Sequence, residues 1–297
     1  MIMKKTKFIT CIYDNLFGTE LGGRINRGGH YRFSLLSILK ITDADFVCYT
    51  SEKEIESLKE FFYGEHKVNP SKLELKVYDI KNCHASELIN KYKDLESTKH
   101  SDRCIEIQYM KFFWFFQEDM SYENYYWIDS GLSYCGLIPN KYLTLQGAHN
   151  RGYYESTLFN NNFLKNLIKQ TKGKFIVVGK ENQRNYWSGT VNPKHYINHD
   201  ASKHIIGGFF GGTKENFEKF TNIFKEYVYN ITQEDNKLYH EENIMSVMYR
   251  NFQDEIEILD FDTWWHEDEK ISGIDMKEHL KSNKSFYKIL EELNNIN

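Results

Sequence analysis

Four short stretches hold the residues whose chemistry calls for explanation. The first is YYWIDSG, 125–131, an aromatic run that closes on Asp129 and breaks at Ser130-Gly131. A carboxylate at the end of a buried strand can touch a divalent cation or a nucleotide ribose; it can equally cap the following turn. The second is GGRINRGGHYR, 22–32, with Arg24, Arg27 and Arg32 inside nine residues of a chain otherwise richer in lysine. Guanidinium forks match phosphate oxygens, glycines let the backbone approach, and a following helix N-terminus adds amide donors. A solvated basic loop is the plainer alternative.

The third stretch is GGFFGG, 207–212, followed by HEEN, 240–243. Glycines such as Gly207, Gly208, Gly211 and Gly212 let a strand pass a ligand where a side chain would clash. Glu241 and Glu242 stand at a helix start, where the dipole favours acids. One of them facing a cleft can accept a proton from an attacking hydroxyl. The fourth is TWWHED, 263–268. His266 is a candidate metal ligand and Trp264 or Trp265 a candidate platform for a sugar; a packed, hydrogen-bonded histidine competes with that reading.

The elements that must position these groups follow from hydrophobic spacing. KFITCIYD (7–14), DFVCYTS (45–51) and KLELKVYDI (72–80) are strands, and YYWID is a fourth. Between them, 30–41, EIESLKEFF, SELINKYKDL and the apolar run 107–120 have helical character. Alternation of this kind predicts an α/β sandwich with a largely parallel sheet. Such sheets bind ligands beyond the carboxyl ends of their strands, where Asp129 falls. The second half is less regular: strands at 173–179 and 204–212, then a helix with Phe217, Phe220, Phe224, Tyr227 and Ile231 on one face, a core stripe. A further helix opens at HEEN, and the tail after 270 is charged and helical.

Composition narrows the classes. With 297 residues, 40% hydrophobic and 16% aromatic, the chain can bury a sizeable core. A net charge of −4 offers no electrostatic case for nucleic acid or an anionic membrane. No apolar run is long enough to span a bilayer. The five cysteines (Cys11, Cys48, Cys83, Cys104, Cys135) form no CxxC pair, which fits reduced thiols rather than a zinc site or disulfide framework.

FITCIYD, YYWIDSG and IIGGFFGG…HEENIMSVMY, spanning roughly 7 to 250, resemble bacterial glycosyltransferases of the GT-A type, more narrowly the HtrL/YibB/WlaTC family. The resemblance implies a GT-A-like (Rossmann-like) nucleotide-sugar-binding sandwich with a central, mostly parallel sheet flanked by helices. It implies one catalytic domain over 1–270, with a donor-binding half (1–135) and an acceptor half (136–270), then a helical tail at 271–297. The expected activity is transfer of a sugar from a nucleoside-diphosphate donor, UDP-linked, to a glycan or lipid-linked glycan hydroxyl in surface-polysaccharide synthesis. Donor binding is expected from Tyr13, Arg24, Arg27, Arg32, Lys111, Asp129, Gly208 and Gly211, with Arg24, Arg27 and Lys111 neutralising the leaving diphosphate. Glu242, or else Glu241, is the expected base, and Trp264 and Trp265 the sugar platform.

Gly131 stands where the Asp-X-Asp metal motif has its second acid, so a Mn²⁺ or Mg²⁺ site rests on Asp129 and His266. The expected location is cytoplasmic, with contact at the inner face of the membrane left open and no nucleic-acid partner. Two rival readings are a non-catalytic glycan-binding module and a glycoside hydrolase using Glu241 or Glu242.

Overall fold

The computed structural model describes residues 6–13, 28–92, 105–131, 161–171, 173–181 and 203–260. Its strands are β1 (Thr6–Cys11), β2 (Asp45–Thr50), β3 (Leu73–Val77), β4 (Asn124–Ile128), β5 (Phe175–Glu181), β6 (Lys203–Thr213) and β7 (Ile256–Asp260). Its helices are α1 (Gly28–Ile41), α2 (Ile55–Lys59), α3 (Ser86–Tyr92), α4 (Ile105–Phe113), α5 (Asn161–Thr171), α6 (Lys214–Asp235) and α7 (Glu241–Asn251). The strands form one seven-stranded sheet in the order β3-β2-β1-β4-β6-β5-β7. The pairs β1–β2, β1–β4, β2–β3 and β5–β7 are parallel, and β6 runs antiparallel to both β4 and β5.

Both faces of the sheet are covered, which is why its strands have nearly unbroken apolar sequences. On one side Phe8, Phe46, Tyr126, Ile128 and Phe209 pack with α1, α2 and α5. On the other, Ile9, Val47, Tyr125, Trp127 and Phe210 pack with α3, α4, α6 and α7. Strand alternation sends Tyr125 and Trp127 to the second face. The next residue of that parity is Asp129, so the period of the strand aims its carboxylate toward α4 and α7.

α6 supplies the stripe expected from its sequence. Phe217, Phe220, Phe224 and Ile231 are buried, while Tyr227 lies at the margin. Thr213 caps the start, its Oγ1 accepting from the Asn216 amide at 3.3 Å, and Asn236 ends the helix in the left-handed region (φ 51°). Phe224 stacks on Phe112 at 4.0 Å between centroids, and Phe112 stacks on Phe210 at 4.4 Å, which ties α6 through α4 to the sheet. Each buried ring contributes about 1.5–3 kcal/mol.

Four elements depart from the sequence expectation. The run 107–120 is not one helix: α4 ends at Phe113 and a tighter 3₁₀ turn covers Trp114–Gln117. In a mostly apolar run, a four-residue window does not distinguish 3.0 from 3.6 residues per turn. α2 runs into a π-helical turn at Glu60–Glu65. α5 and β7 had no counterpart in the sequence reading. Among the described residues no helix is long and apolar enough to cross a membrane.

Candidate active site

α4 and the 3₁₀ turn that continues it set the level of their side chains against β4. Phe115 meets Tyr125 edge-on at 5.1 Å and Trp114 stacks on Trp127 at 5.7 Å. Lys111, one turn earlier, reaches Asp129, with Nζ 3.1 Å from Oδ1. The helix therefore climbs past the carboxyl end of the strand, and its lysine arrives where the strand delivers its acid.

Lys111 is the hub. Its ammonium lies 2.7 Å from Glu241 Oε1 and donates to the carbonyl of Gly207 at 3.0 Å. Three acceptors match the three N–H donors of a lysine. Burial opposes the charge on Lys111, but the carboxylates of Asp129, Glu241 and Glu242 outweigh it and hold the ammonium well above its usual range. Trp127 fixes the other partner, Nε1 donating to Asp129 Oδ1 at 2.8 Å, and its ring lies 5.7 Å from the ammonium.

The glycine strand closes the arrangement. Gly208 accepts from the Asp129 amide at 2.8 Å, and the Gly207 amide donates to Glu242 Oε1 at 3.1 Å. A Cβ on Gly207 would come within 2.5 Å of Glu241 Oε1, so only glycine leaves room for that carboxylate. Pairing of β5 with β6 jumps from Val177↔Phe210 to Val178↔Ile206, passing over 207–209. A bulge beside a site re-aims backbone groups, here the Gly207 amide and carbonyl. α7 then opens without a side-chain cap at His240, with Glu241 and Glu242 in its first turn, where the helix dipole favours acids.

Asp129, Lys111, Gly207, Gly208, Glu241 and Glu242 are thus brought together. Other expected residues are engaged elsewhere. Tyr13 is buried, stacked on Trp114 at 6.1 Å, and its hydroxyl donates to the Tyr78 carbonyl at 2.9 Å. Arg32 turns to α2, donating to Ser57 Oγ at 2.8 Å. Gly211 lies inside the sheet with φ +154°, where a Cβ would sit 2.3 Å from the Tyr125 carbonyl oxygen. Strand contact alone therefore demands that glycine. Arg24, Arg27, Trp264, Trp265, His266 and the tail 271–297 lie outside the described residues.

The described donor set does not fit a divalent cation. Asp129, the carboxylate just past β4, already faces an ammonium, and no group of three His, Cys, Asp or Glu among the described residues could hold a metal. At Gly131, a Cβ would fall 2.2 Å from the Tyr31 ring. The second acid of an Asp-X-Asp motif would collide with that ring.

Sequence reasoning overlooked Gln108 here and took Asn243 only as a member of the HEEN helix start. Gln108 and Asn243 are buried, at 3% and 1% exposure, and none of their four amide atoms has a hydrogen-bond partner. A glutamine one turn before Lys111 in an otherwise apolar helix was the available signal for the first. Glu54, also buried, sits just past β2 and accepts from Ser51 Oγ at 2.7 Å.

Neither a protein-family model nor a curated protein matches the chain. Among solved structures, mouse xyloside xylosyltransferase 1 in its apo form is similar over 90% of both chains, with a TM-score of 0.51 at 10% identity. The 4-diphosphocytidyl-2C-methyl-D-erythritol synthase of Anaerococcus prevotii aligns over 97% of this chain and 96% of that one, with a TM-score of 0.44 and 10% identity. The fold is GT-A-like. At such identity the likeness extends to architecture, and the chemistry rests on the site itself.

Proposed function

We propose that this protein is a glycosyltransferase of the HtrL/YibB/WlaTC type, moving a hexose from a nucleoside diphosphate, UDP by preference, to a hydroxyl of a surface glycan or lipid-linked glycan. The observation that carries the reading is the Lys111 ion pair with both Asp129 and Glu241. It gathers the strand-end acid, the glycine strand and the acid-headed helix at the carboxyl edge of the sheet, the ligand edge of open α/β folds.

In this reading the acceptor oxygen attacks the anomeric carbon and the bond from that carbon to the diphosphate breaks. The diphosphate leaves with the electron pair, and the hydroxyl proton passes to Glu242. Glu242 suits that role because it lies beside Gly207 at the bulge, whereas Glu241 is 1% exposed and locked to Lys111. Asp129, whose side chain is 29% exposed, is the acid most open to a donor hydroxyl. With its three donors engaged, Lys111 acts as a positioning residue, so neutralising the diphosphate falls to Arg24 and Arg27.

Incubation with UDP- and GDP-hexoses, scored by thermal shift and by release of nucleoside diphosphate, tests the assignment. Stabilisation by at least one of them, abolished in Asp129→Asn, is the expected result. A protein indifferent to every nucleotide, with or without Mn²⁺, is not this enzyme.

A further inference from the structure

Gln108 stands one turn ahead of Lys111 on α4, and positions three apart share a helix face. The contacts of Phe115 with Tyr125, Trp114 with Trp127 and Lys111 with Asp129 show that this face rises along β4 toward its carboxyl end. Gln108 therefore lies beyond Asp129, about 4.5 Å further along the helix axis than Lys111 at about 1.5 Å per residue. Helical side chains lean toward the amino terminus, which carries the carboxamide further the same way. There it is 3% exposed, with both Oε1 and Nε2 lacking a hydrogen-bond partner. Buried amides in folded proteins are ordinarily paired, so a wholly unpaired one beside a site marks a place where a polar ligand belongs.

We propose that Gln108 reads the transferred sugar and so determines donor specificity, an inference that deepens the transferase reading and rests on it. Its carboxamide accepts from one hydroxyl of the donor hexose at Oε1 and donates to a neighbouring one through Nε2. Asp129, one step closer to the sheet, takes a further hydroxyl. A carboxamide offers an acceptor and donors side by side, the complement of adjacent hydroxyls. Sites built from buried hydrogen-bonding groups reject analogues lacking the matching hydroxyl far more strongly than apolar pockets do. Asn243 is equally buried, but it lies about 200° round α7 from Glu241 at about 100° per residue and faces other surroundings.

The competing occupant is a structural water, and two apolar variants of similar size, Gln108→Met and Gln108→Leu, separate the cases. Three quantities are compared with wild type: melting temperature without ligand, affinity for UDP alone, and affinity for UDP- and GDP-hexoses with their deoxy analogues. The expected pattern is an unchanged or raised melting temperature and UDP affinity within about twofold. The affinity added by the sugar should fall by about tenfold or more, and discrimination against the deoxy analogue should collapse. A lowered melting temperature in both variants with sugar-nucleotide affinity intact assigns the amide to a structural water and overturns the proposal. Equal losses for UDP and for sugar nucleotides overturn it as well, because the residue would then serve the nucleotide. Wild-type protein that binds no nucleotide sinks the transferase reading itself, whereas binding untouched by either variant sinks only the role of Gln108.

Discussion

Two buried charge clusters lie on the α4 side of the sheet, and they are built to opposite plans. In the first, near the starts of β1 and β4, Glu118 has a fully buried side chain. Lys7 approaches its Oε2 at 2.6 Å, Lys76 its Oε1 at 3.1 Å, and the Tyr49 hydroxyl donates to Oε1 as well. Glu74 adds a second acid at the exposed rim. Charges balance: Oε1 of Glu118 takes two donors, and Oε2 faces the Lys7 ammonium as an ion pair without an aligned hydrogen bond. Burial, then the charge of Glu118, holds the Tyr49 phenol protonated; burial works against the charge on Lys7, and its pairing with Glu118 more than restores it.

The second cluster is left incomplete. One ammonium serves Asp129 and Glu241 with Glu242 nearby, Asp129 is partly open, and Glu241 Oε2 has no partner. The lesson is that a buried ion pair by itself is weak evidence of function. An excess of acids over a single ammonium, with one of those acids open to solvent, separates the site from the brace.

That contrast can be broken experimentally. Lys111→Met should cost most, about 4–5 kcal/mol in urea unfolding, because it strands buried carboxylates without a cation, and nucleotide response should vanish with it. Glu118→Gln should destabilise by about 3 kcal/mol while nucleotide response per folded molecule stays intact. A loss of binding in that variant would contradict the division into brace and site. Gly211→Ala should cost about 2 kcal/mol through its clash with the β4 backbone, again without altering ligand affinity once folded. Asp129→Asn should change stability by less than about 1 kcal/mol, since Trp127 still has an oxygen to meet, yet lower turnover by about 10²-fold or more.

A pH series sharpens the comparison. Both Lys7 and Lys111 have folded pKa values raised above the ordinary lysine value of 10.5. Their stabilisation is therefore complete below that value and fades only as pH rises through the folded pKa. In urea unfolding, wild-type stability should show no lysine-linked loss from about pH 6 to pH 9 and should fall only in stronger alkali. A drop in wild-type stability between about pH 7 and pH 9 would mean that the lysine is not held by its carboxylates.

Much of the first half of the fold was legible in its residues, because strands buried on both faces and amphipathic helices carry strong local periodicity. β1 to β4 and the stripe of α6 follow from spacing alone. β7 was not legible, since five residues at the edge carry too little pattern, and neither was the antiparallel course of β6, because pairing direction is set by how chains return through space. For the site, the sequence supplied the acid at the end of β4, the paired glycines and the glutamates of α7. Three roles were decided only by tertiary structure. Gly211 serves the sheet while Gly207 makes room for Glu241, and Lys111 gathers carboxylates. Residues 111, 129, 207 and 241 lie far apart along the chain, and electrostatics acts through distance in space. The sequence names the charges; the packing of α4 and α7 on the sheet determines which of them meet.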